Sequence, residues 1–132
     1  MSEKTYDSGL AIRHAMFGEE VTDRQIADAS PFTRPIQDLV TEQCFGEVWS
    51  RPGLDRKTRS LATLCMLIGM GRSHELAIHV KGAVANGVTA QELSELMRHA
   101  AVYCGVPAAV GAAYTTDAAL RELGISFGEG QA

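Results

Sequence analysis

A chain of 132 residues, 45% of them apolar, is enough for one domain and too little for two. Eighteen alanines against fifteen valines and isoleucines favour helix over strand and argue against an all-β sandwich or barrel. Twelve basic and sixteen acidic residues give −4, which argues against a generalised nucleic-acid or anionic-membrane binder, since either needs a basic face.

The opening Met1-Ser-Glu-Lys-Thr-Tyr-Asp7 lacks the apolar core of a signal peptide, and the longest apolar-rich stretch, Leu61 to Met70, is about half a bilayer span. A cytoplasmic, membrane-free protein is expected. Residues 6–17 read as a first amphipathic helix stopping near Gly18. Thr22 and Gln25 have capping-box spacing and predict a short turn. Ser30-Pro31 and Thr33-Arg34-Pro35 offer two helix starts, proline being tolerated in a first turn. From there Ile36, Leu39, Val40, Cys44, Phe45 and Val48 recur at steps of three and four, one face of a helix ending before Pro52-Gly53.

Asp55 can cap the next helix. Its body, Leu61 to Ile68, is apolar on nearly every side and predicts a buried central helix ended by Gly69 and Gly71. Ser73 caps a helix running to Asn86, with Gly87 as its left-handed terminator. Thr89 and Glu92 form a second capping box, opening a helix to Tyr103; Pro107 starts the last, closed by Gly124. The expectation is a single all-α domain over 1–132 with about six helices. Small residues along Ala108, Ala109, Gly111, Ala112 and Ala113 either pack inside the monomer or let copies approach; with so small a core, self-association is expected.

Cys44, Cys65 and Cys104 are an odd set without a C-x-x-C. Apolar neighbours predict that each is a small buried hydrophobe, with neither a disulfide framework nor a zinc site. His74 and His79 are five apart, about 140° around a helix, so the zinc spacing H-E-x-x-H is not met. Arg72, Glu75 and His79, by contrast, share one helix face. Glu75 beside His79 is expected to raise the histidine's pKa and make it a general acid; the alternative is a solvated i,i+4 pair with a capping arginine. Four cations lie between Arg51 and Arg59, next to Trp49. Arg51 in its Pro-Gly turn either forks onto a carboxylate or belongs to a solvated loop.

Phe45-Gly-Glu-Val-Trp-Ser-Arg-Pro-Gly-Leu-Asp-Arg-Lys-Thr-Arg-Ser60, the helix through Glu75 and His79, Asn86-Gly-Val-Thr89 and Tyr103-Cys-Gly-Val-Pro-Ala-Ala109 occur in an order and spacing that resemble the carboxymuconolactone decarboxylase family, within the alkylhydroperoxidase-like superfamily. The resemblance covers nearly the whole chain. It implies an oligomeric helical fold, commonly a hexamer, working without cofactor. Where the superfamily's redox branch carries C-x-x-C-x-x-x-H and a preceding glutamate, this chain has Arg72, Glu75, His79 and Ser60, so the resemblance implies acid–base rather than thiol chemistry.

The implied substrate is 4-carboxymuconolactone, a dicarboxylate lactone, decarboxylated to 3-oxoadipate enol-lactone in aromatic-acid (protocatechuate) breakdown. Its own ring conjugation takes up the electrons that CO2 leaves behind. On that basis His79, supported by Glu75, is the expected proton donor. Arg51 and Arg72 would anchor substrate and stabilise charge, because a clamp on the departing carboxylate would favour the ground state. Glu47 and Trp49 are either pocket walls or structural, and Tyr103 is the next candidate acid. The competing readings are a thiol peroxidase or disulfide reductase, disfavoured by the missing cysteine pair, and a non-catalytic oligomeric binding module.

Overall fold

The structure is a computed structural model that describes residues 3–128. Among these the chain is helical, without a strand: α1 (Glu3–Phe17), α2 (Glu19–Ala27), α3 (Arg34–Leu39), a π-helix (Val40–Trp49), α4 (Arg56–Met70), α5 (Ser73–Ala85), α6 (Ala90–Tyr103) and α7 (Val106–Glu122). The all-α expectation holds, with one more helix than foreseen and a π-helical stretch besides. The chain divides into two compact units, one up to Arg56 and one from Lys57.

In the first unit α1 packs along the π-helix. Two glycines allow the approach: a Cβ on Gly9 would sit 1.8 Å from the Thr41 carbonyl oxygen, and one on Gly46 would sit 2.3 Å from that of Thr5. Ile12, Met16, Phe45 and Trp49 form the buried cluster. The Phe45 and Trp49 rings lie 5.7 Å apart between centroids, and Phe17 meets Phe45 edge-on. The apolar period at 36–48 predicted a single α-helix. In fact α3 runs into the π-helix at Val40, because steps of three and four describe a packed face without fixing which carbonyl each N–H reaches.

The capping box at Thr22 and Gln25 is not formed. Gly18, at φ 94°, precedes α2, and Thr22 lies inside that helix, buried, donating to the Arg13 carbonyl. Gln25 instead accepts a hydrogen bond from Arg13 at 3.0 Å, while Thr41 Oγ1 accepts another at 2.9 Å. Arg13 is only 4% exposed, and burial disfavours its charged form. Two neutral side-chain oxygens, one from α2 and one from the π-helix, therefore accept from a buried cation on α1.

The second unit has its own core: Leu64 and Ile68 on α4, Leu76 and Val80 on α5, Leu93 and Ala100 on α6, and Ala112 and Leu120 on α7. Only one stripe of α4, Ser60–Leu64–Ile68, is buried; Cys65, Met66 and Met70 are exposed. A helix apolar on every side was expected to be enclosed, but this unit supplies partners for one face. The cysteine expectation fails with it: Cys65 and Cys104 are exposed and Cys44 is half-buried. Gly69 lies within α4, and the terminator is Gly71, at φ 72°. Gly87 is the predicted left-handed stop, and the Thr89–Glu92 capping box is present in both directions. Ala109 and Ala112 pack inside the unit, whereas Gly111 is exposed.

Candidate active site

α5 positions three of the expected residues. After the left-handed Gly71 the backbone leaves Arg72 at the helix cap, with Ser73 one position later as the first helical residue rather than the cap. The Arg72 N–H donates to the Leu67 carbonyl at 3.0 Å and its own carbonyl accepts from Leu76 at 2.9 Å, so the arginine is fixed at the α4–α5 corner. Its guanidinium forms an ion pair with Glu75 three residues on. That bond, first among several causes, holds the Glu75 carboxyl below the usual carboxylate range and pushes Arg72 up.

His79 lies one turn beyond Glu75 and is half-buried. Burial lowers its pKa, and this outweighs the opposing pull of the Glu75 carboxylate. The electrostatic expectation is thus reversed in its net sign. Glu75 does favour the imidazolium, but desolvation is the larger effect, and Glu75 is already engaged by Arg72. In the free protein burial thus favours the neutral imidazole over the imidazolium. The face therefore offers an exposed cation able to meet a carboxylate and, one turn on, a partly dehydrated imidazole able to exchange a proton.

At the far end of α5, its C-cap Asn86 ties to Ser60 in the first part of α4. Ser60 is 2% exposed and its Oγ accepts from the Asn86 side-chain amide at 3.0 Å. Arg72 borders a cavity of about 200 Å³ together with Leu67, Leu76, Pro107 and Ala108. Tyr103 borders a different one, of about 260 Å³, with Cys65, His99 and Cys104, and its ring packs on His99 at 4.9 Å. Arg72 and Tyr103 thus serve separate cavities of the second unit. Among the described residues no group of three or more histidine, cysteine and acidic side chains is arranged to hold a metal ion.

The remaining expected residues belong to the first unit. Trp49 is 7% exposed and packs within that unit's aromatic cluster. Glu47 and Arg51 are exposed, and the Arg51 N–H donates to the Val48 carbonyl at 3.1 Å where the chain leaves the π-helix. The buried Arg13 escaped the sequence reading. Its signal was there: with Gly9, Ile12 and Met16 it occupies the apolar face of α1, where an arginine demands buried partners.

A profile of the carboxymuconolactone decarboxylase family matches residues 34–119, a stretch that crosses the boundary between the two units. The chain belongs to that family. It is 43% identical over 123 residues, 93% of its length and 86% of the relative's, to nitrosuccinic acid decarboxylase npaB of Metarhizium robertsii. It is 39% identical over 124 residues, 94% and 92% of the two lengths, to 4-carboxymuconolactone decarboxylase of Acinetobacter baylyi. An uncharacterized 15.0 kDa protein of Paracoccus denitrificans matches over about half of each chain at 36%. Membership makes the chain a decarboxylase that acts on a small molecule. No helix among the described residues is long and apolar enough to cross a membrane.

Proposed function

We propose that this carboxy-lyase decarboxylates 4-carboxymuconolactone to 3-oxoadipate enol-lactone, with nitrosuccinic acid as a second substrate reading. The observation that carries the proposal is identity over nearly the whole chain to two decarboxylases named for these compounds. The compounds differ in ring and nitro group but share one unit: a carbon bearing a carboxylate, a carboxymethyl arm and an electron acceptor. In the lactone the acceptor is the conjugated ring carbonyl, and in nitrosuccinate it is the nitro group. Loss of CO2 sends the electron pair into that acceptor, giving a dienolate or a nitronate, and one proton must then be added to carbon.

The roles follow from where charge goes. The carboxymethyl carboxylate persists through the reaction, so a cation bound to it anchors the substrate without favouring the ground state. Arg72 at the α5 cap suits that contact or the developing oxyanion. Arg51 is proposed as a carboxylate anchor on its own chemistry and is tested separately. His79 is the proposed proton donor. Because burial lowers its pKa in the free protein, substrate negative charge brought beside it would act in the opposite sense and favour the imidazolium. The 132 residues are read as one functional domain, and as a homo-oligomer with the hexamer favoured.

Turnover of fresh 4-carboxymuconolactone and of nitrosuccinic acid by chelator-treated, dialysed protein, followed by ultraviolet absorbance and CO2 release, tests this. Activity on the lactone is expected to survive chelation. Activity on nitrosuccinic acid alone would replace the substrate. Binding of both without CO2 release would make the chain a non-catalytic module, and recovery only with an added metal would overturn the mechanism.

A further inference from the structure

Away from the Arg72–Glu75–His79 face, α6, α7 and the segment after α7 line a cavity of about 280 Å³ that is open to solvent. Its walls include Leu93, Met97, Arg98, Thr116, Leu120 and Phe127. Thr116 is 4% exposed, and its buried hydroxyl has no hydrogen-bond partner among the described residues. A buried hydroxyl left unmatched is costly, so a residue of nearly the same shape without oxygen would serve a purely structural purpose better.

The surrounding chemistry narrows what could match it. The nearby charges are already used: Arg98 pairs with Glu95 at 3.4 Å, and Asp117, which also borders the cavity, pairs with Arg121 at 2.9 Å. A neutral guest is favoured over an ion. The apolar wall carries the Met97 thioether and the Phe127 ring, both of which gain from contact with an aromatic face or edge. A cavity of about 150 Å³ is large enough for benzene, so by size alone this one admits a single substituted ring, with part of it left facing solvent. Threonine in a helix populates two χ1 wells, and rotation exchanges its methyl and hydroxyl positions. A guest with a polar group can therefore select the rotamer that meets it.

We propose that this cavity binds a small neutral aromatic alcohol of about phenol size, its ring against Met97 and Phe127 and its hydroxyl on Thr116 Oγ1. The site is independent of the decarboxylase reading, since none of that face's three residues borders it.

Titration of the full-length protein with phenol, followed by amide and methyl chemical shifts, tests the proposal, with toluene as the same shape lacking oxygen. Phenol is expected to shift Leu93, Met97 and Leu120 and to bind more tightly than toluene. Thr116→Val should weaken phenol about tenfold, leave toluene unchanged, and be matched in the opposite sense by Thr116→Ser, which keeps the hydroxyl and the phenol affinity. Without ligand, Thr116→Val should melt no lower than the parent, because it removes an unmatched polar group. Absence of shifts at millimolar phenol, equal loss of phenol and toluene in Thr116→Val, or a lower melting temperature for unliganded Thr116→Val would each overturn the proposal; the last would mean the hydroxyl already has a partner.

Discussion

His79 carries the most testable chemistry at the scale of single residues. Glutamine keeps a hydrogen-bonding group but supplies no acidic proton, so His79→Gln is expected to lower kcat about 10²–10⁴-fold with a smaller change in KM. Near-parental turnover with retained stereochemistry in heavy water would move the proton to another acid, Tyr103 first. The electrostatics give a second prediction. Removing the Glu75 charge removes an influence that raises His79, so Glu75→Gln should move the His79 titration, read by imidazole proton shifts, further down. An unchanged midpoint would mean that the Glu75 charge does not act on it. The same depression fixes a stability slope. The unfolded chain takes up the histidine proton first, so this contribution is full above the ordinary histidine pKa and is lost as pH falls through the lower folded value. Between pH 8 and 5, His79→Gln should therefore lose less melting temperature than the parent. At Arg51 the planar fork is the point: Arg51→Lys should raise KM if the contact is to the persisting carboxylate, and unchanged kcat and KM would make the residue structural.

Among the elements, the π-helix and α1 depend on close backbone approach. A methyl at Gly46 would lie 2.3 Å from the Thr5 carbonyl, and backbone cannot yield as a flexible side chain can. Gly46→Ala should cost at least about 1–3 kcal/mol in denaturant unfolding, the usual range for overpacking. A neutral Gly46→Ala would mean that the two helices are further apart than described. The α6 start, by contrast, was legible from Thr89 and Glu92, because a capping box is a local device whose partners are three residues apart. Thr22 and Gln25 show the opposite. Their spacing suits the same device, yet the Thr22 hydroxyl donates to the Arg13 main-chain carbonyl and the Gln25 side-chain oxygen accepts from the Arg13 guanidinium. Local spacing lost there because α2 already begins after Gly18, and because the buried Arg13 guanidinium takes the Gln25 oxygen.

For the molecule as a whole, the question left by burial is what covers the apolar surface. In the second unit Met66, Met70, Val102, Val106 and Tyr114 are each more than 60% exposed. In the first, Phe32 is 91% exposed. Large side chains exposed in such number fit a chain that buries them against copies of itself. A light-scattering mass above that of a dimer is expected at micromolar concentration. A mass near 14.2 kDa would contradict self-association.

Composition and apolar period determined the helical class, most helix limits and the left-handed glycine stops, because these depend on neighbours within a turn or two. The shared face of Arg72, Glu75 and His79 was legible for the same reason: helical spacing alone aligns them. Three things needed the tertiary structure. The sign of the His79 shift is a contest between a charge one turn away and burial supplied by residues remote in sequence. Trp49 became a core residue only once α1 supplied Ile12 and Met16 around it. The unmatched Thr116 hydroxyl could not be foreseen, because whether a buried polar group has a partner is decided by every element packed around it.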